Sequence, residues 1–406
     1  MKKKIYYFLH SIFENYFWLV TITAILDLFL GIGWLTTLVL PIVIYYCVFA
    51  KPFHDSRNSL DYLWGLMLLW MVLTWTYNDY SNKEILSIRC FFGQIAYMMT
   101  YWIARKSDIN YIALIIKRAY LPLVITCIIG IYCFFVRPEW YADLISQSLN
   151  KMHGTITESM ILEANRLRSI FSSPYVLAYF CAFVIIYESF YINNRFVNLK
   201  YHYALIALMI VTSILAMQRA PFVCSLIGFV CALFYSFLYI KGKVFLWTNM
   251  LVVLIIGFLM LSFIIANMNS ATSEYLNTKV STVVDTSDEF VSDRFYLNQR
   301  NESDWFGDGV GRHDIMADKY NPGSSMRDGE YMKILQEQGY IGMGLFVLFA
   351  FLAMYKSVVN FKKLSLELCL LIMLLICMIG ANPLSTIDKH SVFFWLAFGQ
   401  ISRLKK

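Results

Sequence analysis

Gly339-Tyr-Ile-Gly-Met-Gly-Leu-Phe-Val-Leu-Phe-Ala-Phe-Leu-Ala-Met-Tyr355 carries no charged residue, and its only strongly polar atoms are the hydroxyls of Tyr340 and Tyr355. A helix that crosses the roughly 30 Å hydrocarbon core of a bilayer needs about 20 such residues. Runs that meet or approach this length recur at Ile12 to Leu30, Trp34 to Phe49, Leu60 to Tyr77, Ile85 to Ile103, Ala119 to Val136, Pro174 to Tyr191, Tyr201 to Met217, Pro221 to Ile240, Val244 to Ala266, Leu366 to Ile379 and Ser391 to Ile401. The reading is an all-α polytopic membrane protein of about twelve transmembrane helices. The second, eleventh and twelfth runs are short, which leaves ten or eleven open. Composition agrees, because the 406 residues are 59% hydrophobic and 15% charged, where soluble proteins carry about a quarter charged residues.

Lysines and arginines set the orientation. With the N-terminus cytoplasmic, every short inner connection holds at least two of them, Arg105 and Lys106 or Lys362 and Lys363 for example, and Arg403-Leu-Lys-Lys406 returns to the same side. The net charge of +7 is thus scattered in small clusters between apolar runs, which argues against a nucleic-acid partner. The chain divides into residues 1–266 with helices 1–9 and an outer loop at 137–173, a large outer loop at 267–338, and residues 339–406 with helices 10–12. Pro41 and Pro122 fall within spans and should kink them. The Met1-Lys-Lys-Lys start lacks a cleavage site and reads as the approach to an uncleaved first helix. The nine cysteines lie in or beside apolar runs without a C-x-x-C, and the six histidines show no ligand spacing, so neither a metal nor another cofactor is expected.

The large outer loop holds Val291-Ser-Asp-Arg-Phe-Tyr-Leu, Trp305-Phe-Gly-Asp-Gly-Val-Gly-Arg-His and Arg327-Asp-Gly-Glu-Tyr-Met-Lys-Ile-Leu-Gln-Glu-Gln-Gly. In the last stretch Tyr331, Ile334, Leu335 and Gln338 recur at helical spacing, which predicts an amphipathic helix at the membrane surface. The glycines of Gly307-Asp-Gly-Val-Gly311 mark a turn, or a place where backbone comes close to a sugar or headgroup; no strand surrounds them to make a nucleotide loop.

Four stretches together resemble the Wzy-type O-antigen polymerases and the related O-antigen ligases. Arg166-Leu-Arg-Ser-Ile-Phe-Ser-Ser-Pro174 is similar to that superfamily's Arg-x-x-Gly-x-Phe-x-x-Pro, with Ser169 for glycine. Gln218-Arg-Ala-Pro221 stands in a tight outer turn where the family has Ser-Arg-Gly or Ser-Arg-Thr. Arg294 precedes Phe306-Gly-Asp-Gly as the family's loop arginine precedes its Phe-Gly-x-Gly. Asp328 to Gly342 is similar to the ligase pattern His-Asn-x-Tyr-Leu-x-x-Leu-x-Glu-x-Gly-x-x-Gly, but Asp328 and Gly329 replace its histidine and asparagine, which favours polymerase over ligase. The first five spans carry almost none of this signal.

The resemblance implies a GT-C-like, metal-independent glycosyltransferase of the bacterial cytoplasmic membrane with a periplasmic catalytic face. It implies undecaprenyl-diphosphate-linked oligosaccharides as donor and acceptor, and suggests a chain-length regulator as partner. Arg166, Arg168, Arg219 and Arg294 are then candidates for the diphosphate, which arginine holds through bidentate hydrogen bonds. Asp328 is the first candidate for the base that takes the acceptor proton, with Glu330 and His313 behind it. Each has a plainer reading. Arg294 has Asp293 and Glu289 nearby, Asp328 serves as the helix N-cap with Ser325 forming a capping box, and Glu337 fixes the helix to the loop. Trp140, Tyr141, Tyr275, Trp305, Tyr320 and Tyr340 fit an interfacial belt as well as sugar stacking. Glu188 and Glu367 read as carboxylates snorkelling at helix ends. The ligase activity, with lipid A core as acceptor, is the nearest alternative. A lipid-linked glycan flippase or other secondary transporter is the alternative from a different class; it would bring internal repeats and midplane polar residues, and no repeat is visible here.

Overall fold

The computed structural model describes residues 2–30, 33–49, 57–80, 82–141, 167–171, 174–192, 199–216, 219–239, 305–313, 329–384 and 389–404. The ninth apolar run, Arg166, Arg294, Asp328, Tyr275 and Tyr320 lie outside them, and so does the side chain of Arg219. Every described element is a helix. In chain order they are α1 (Lys2–Glu14), α2 (Tyr16–Leu30), α3 (Gly33–Phe49), α4 (Ser59–Tyr77) and α5 (Lys83–Cys90). A π-helical turn (Phe91–Ile95), α6 (Ala96–Met98) and α7 (Thr100–Arg105) continue α5. Then come α8 (Tyr111–Val136), α9 (Pro174–Ile192), α10 (Leu199–Leu215), α11 (Arg219–Tyr239), α12 (Glu330–Val359), α13 (Phe361–Gly380) and α14 (Ser391–Arg403).

Leu121, Ile125, Ile128, Tyr132 and Phe135 of α8 are all exposed, at alternating spacings of four and three. Val347, Phe351, Tyr355 and Val358 on α12, and Tyr62, Leu66, Leu69 and Leu73 on α4, are exposed at spacings of three and four as well. Continuous exposed apolar stripes are costly in water and favourable in lipid. Among the described residues two helices, Tyr111–Val136 and Glu330–Val359, are long and apolar enough to cross a membrane; a bent pair makes a third, and Leu38–Phe49, Pro174–Phe190, Tyr201–Leu215 and Pro221–Tyr235 are shorter apolar helices. This is the architecture of a helical membrane protein.

The first run departs from expectation. Hydropathy alone joins Ile12 to Leu30, but the chain bends by 83° between Phe8–Glu14 and Tyr16–Leu26. Asn15 sits at the bend, where its Nδ2 donates back to Ser11 O at 2.8 Å. α1 is held by Glu14 against Arg118 of α8 at 2.8 Å and by His10 against the Tyr111 hydroxyl at 2.6 Å. Pro41 and Pro122 do lie inside helices, α3 and α8. All nine cysteines are free thiols, eight of them buried.

The chain forms two compact units, residues 1–119 with 297–406, and residues 120–296. In the first, α14 is buried from Ser391 to Ser402, so the shortest apolar run is the interior helix. Gly399 permits this: a Cβ there would meet Tyr101 O of α7 at 2.2 Å, the close backbone approach that small residues allow. One end of the unit is closed by Asp61. Its carboxylate accepts from Tyr101 Oη (2.6 Å), Ser402 Oγ (2.9 Å), Arg105 Nε (3.2 Å) and Asn58 N (2.9 Å). Lys356 Nζ donates to Ser402 O at 3.1 Å, and Arg403 donates to Ser107 O. Asp61, Arg105, Lys356 and Arg403 thus gather at this end of the unit.

In the second unit α9 is the interior helix, buried at nearly every position. Gly228 of α11 packs so closely that a Cβ would fall 2.1 Å from Ile186 Cγ1. Glu188 is fully buried, with Tyr120 Oη and His202 Nδ1 on its two oxygens. Glu367 of the first unit is 4% exposed and accepts from Asn110 Nδ2 at 3.4 Å. Neither carboxylate snorkels: each is enclosed because a neighbouring helix brings a hydrogen-bond donor to it, which periodicity along one helix cannot show.

Candidate functional site

The site grows out of a break in α12. Gly339 has φ 67° and ψ −171°, which is non-helical, and it interrupts the helix between its polar first turns and its apolar remainder. At the break the carbonyls of Gln336, Glu337 and Gln338 accept from Asp308 N (2.7 Å), Gly309 N (3.0 Å) and Trp70 Nε1 (2.7 Å), while Ile341 N reaches Trp305 O at 3.4 Å. The loop of residues 305–313 thus lies across the kink and satisfies backbone groups there, as irregular backbone in a membrane protein requires.

That contact explains the glycines. Gly307, Gly309 and Gly311 have φ of 75°, 104° and 90°, conformations in which glycine alone is unstrained. A Cβ on Gly307 would lie 2.4 Å from Gly339 N and 2.6 Å from Gln338 N. The close approach is made to the protein's own helix, so the glycines need no sugar or headgroup to account for them. Asn78 Nδ2 donates to Gly307 O (3.0 Å) and Tyr80 Oη to Val310 O (2.8 Å), which fastens the far side of the loop to the end of α4.

The first turns of α12 bury their polar stripe. Glu330 and Glu337 are fully buried and Lys333 is 4% exposed, whereas Tyr331 and Leu335 are only half-buried. Glu330 Oε2 accepts from Leu384 N at 3.0 Å, and Glu330 N donates to Ala381 O at 3.0 Å. Asn382 Oδ1 accepts from Gly329 N at 3.0 Å. The N-cap is therefore Gly329, not Asp328, and the turn after α13 supplies the capping groups. Ile334 and Gln338 of the amphipathic stripe are buried, but so are Glu330, Lys333 and Glu337, because the loop and that turn offer backbone amides to the carboxylates.

Of the candidate bases, Glu330 is committed to the turn at 381–384. His313 is 2% exposed; its backbone N donates to Glu337 Oε1 at 3.1 Å, so Glu337 does fix helix to loop, and its Nε2 stands 3.1 Å from Asp308 Oδ2. The Asp308 side chain is 36% exposed, and Arg312 Nη1 lies 3.9 Å away. Asp308 is the accessible acid of the described site, and sequence reasoning passed over it as the variable position of a glycine motif. A carboxylate between two glycines with histidine five residues later was the available signal. Around it stand exposed aromatics: Trp305 edge-on to Tyr340 at 5.7 Å, and Phe306 stacked on Trp70 at 5.7 Å and 6.4 Å from Tyr77.

In the second unit Arg168 is 3% exposed and Leu167 N donates to Leu215 O at 3.1 Å. Ser169 has φ 57°, with its hydroxyl donating to Thr126 O at 2.6 Å. Burial raises the phenol pKa of Tyr141, beside Arg168, so it stays protonated. Arg219 begins α11. Among the described residues no group of three or more His, Cys, Asp or Glu could hold a metal ion. Comparison with family models, curated proteins and solved structures finds no match to this chain.

Proposed function

We propose that the protein is a polysaccharide polymerase of the bacterial cytoplasmic membrane. It joins undecaprenyl-diphosphate-linked repeat units at the outer face, into O-antigen or capsular polysaccharide, with about twelve spans and both termini cytoplasmic. The acceptor's sugar hydroxyl attacks the donor's anomeric carbon. A new C–O bond forms, the anomeric bond to the lipid diphosphate breaks, the diphosphate leaves with the electron pair, and the hydroxyl proton passes to a protein base. Arg166, Arg168, Arg219 and Arg294 are proposed to stabilise the charge on the leaving diphosphate. Asp328 remains the base suggested by resemblance.

The observation that carries this reading is backbone conformation at the motif positions. Ser169, where the resembled family has glycine, takes the left-handed conformation that glycine favours. Gly307 and Gly309, the glycines of Phe-Gly-x-Gly, do the same. Local geometry therefore agrees with the motif at two places far apart in sequence. The test is to give the purified protein one lipid-linked repeat unit, with and without a lipid A core acceptor. Ladders of product without the core are expected; a single transfer onto the core would make it a ligase, and no glycan product would overturn both.

A further inference from the structure

The first apolar run bends where hydropathy alone continues, and the two sides of the bend differ in what they expose. Beyond it, Trp18, Ile22 and Ile25 of α2 are exposed at spacings of four and three, as on the lipid-facing stripes of α4, α8 and α12. Before it, α1 turns away by 83° and is mixed in character. Lys2-Lys3-Lys4 make its first turn, no acid precedes Glu14, and Glu14 is neutralised by Arg118 at 2.8 Å. The helix is also fixed about its own axis. His10 and Glu14, one turn apart, meet Tyr111 and Arg118 of α8. Phe13 beside them is buried, its ring edge-on to Tyr111 at 5.8 Å. The other side of the helix, with Phe8 at 65% exposure and Ser11 exposed as well, therefore faces away from the protein.

We propose that α1 is a surface helix that lies in the headgroup layer of the membrane and recognises anionic lipid. A helix at 83° to one that enters the bilayer runs close to the membrane plane. In that plane, a large apolar side chain turned away from the protein reaches the boundary between headgroups and acyl chains, and a lysine-rich turn is drawn to negative headgroups. Phe8 meets the first condition and the Lys2-Lys3-Lys4 turn the second. The occupant is the lipid surface and not a free phosphate, because a free anion uses only the charge and leaves the Phe8 ring in water. The contacts at His10 and Glu14 hold α1 at this angle, so its attachment to lipid is passed directly to the start of α8.

The two arrangements open to a bent pair predict opposite orders of depth. In a surface helix depth follows the helix face, so Phe8 lies deeper than Ser11. In a broken span depth follows the sequence, so Ser11, one turn nearer α2, lies deeper than Phe8. The experiment places the full chain in lipid nanodiscs with an apolar, environment-sensitive fluorophore on F8C or S11C. Wild type, whose cysteines are all free thiols and eight of them buried, gives the background labelling. Quenching is read with nitroxide lipids labelled near the headgroup or deep in the acyl chain, in zwitterionic bilayers and in bilayers containing phosphatidylglycerol. At F8C, quenching by the shallow nitroxide should exceed that at S11C by about twofold or more, as for an apolar face at the acyl boundary. It should rise by about twofold with phosphatidylglycerol, and fall back in high salt. The triple variant K2Q, K3Q and K4Q should melt with wild type and lose that rise. A probe at Ser11 deeper than one at Phe8, or no quenching at Phe8, overturns the surface helix. Equal quenching at Phe8 with and without the anionic lipid, or a rise that survives the triple variant, overturns the recognition of anionic headgroups.

Discussion

Asp61 and Asp308 stand at opposite ends of the same unit and use the same functional group in opposite ways. Asp61 is enclosed, its side chain 2% exposed, with donors from α7, α14 and the turn before α4 on its oxygens. Asp308 stands 3.1 Å from the buried His313 imidazole and 3.9 Å from Arg312 Nη1, with its side chain 36% exposed. The contrast teaches how to separate structure from function among carboxylates in a membrane protein. A carboxylate enclosed by donors from several helices holds those helices together; one on a loop, with a third of its side chain exposed, ties only that loop to itself.

The largest effect should come from breaking the closed end. Arg105→Met leaves Asp61 buried without its cation, which costs about 3–5 kcal/mol, and folded yield by size-exclusion chromatography should collapse. Next is Gly307→Ala, where a Cβ at 2.4 Å from backbone adds a steric clash to roughly 1–3 kcal/mol of strain at positive φ. Thermal unfolding should show a lower Tm, with activity lost in proportion because the loop is displaced from the kink.

A third prediction concerns pH. His390, fully buried ahead of α14, has its imidazole pushed down to about 3 by desolvation. The unfolded imidazole, near 6.5, takes up a proton first as pH falls. Its stabilisation of the fold is therefore complete above about pH 6.5 and declines between 6.5 and 3, by about 2 kcal/mol at pH 5. Wild type should lose more stability than His390→Asn between pH 7 and 5; equal losses would contradict the assignment. The smallest effect belongs to the open end. Arg312→Met removes a partly exposed ion pair at 3.9 Å and should change stability by less than about 1 kcal/mol.

The helices were legible because span length is a property of a single run: Leu60 to Tyr77 needs no partner to be recognised, and α4 covers it. Ile12 to Leu30 misled because hydropathy does not register a change of direction at Asn15. The glycines of 307–311 announced their backbone conformation, but not that the surface they approach is α12. The burial of Glu330, Lys333 and Glu337 was hidden for the same reason, since the turn at 381–384 and the loop at 305–313 that enclose them are distant in sequence. His313 was picked out for its chemistry, whereas Asp308, whose exposure only the folded loop reveals, was not.

The most direct test measures ladder formation from a lipid-linked repeat unit, without a lipid A core acceptor, and Tm for wild type and R105M in the same preparation. The expected result is that wild type forms ladders, while R105M fails to give stable folded protein. Folded wild type that binds the repeat unit and forms no ladder would contradict the polymerase reading, and R105M that melts with wild type would contradict the role given to the closed end.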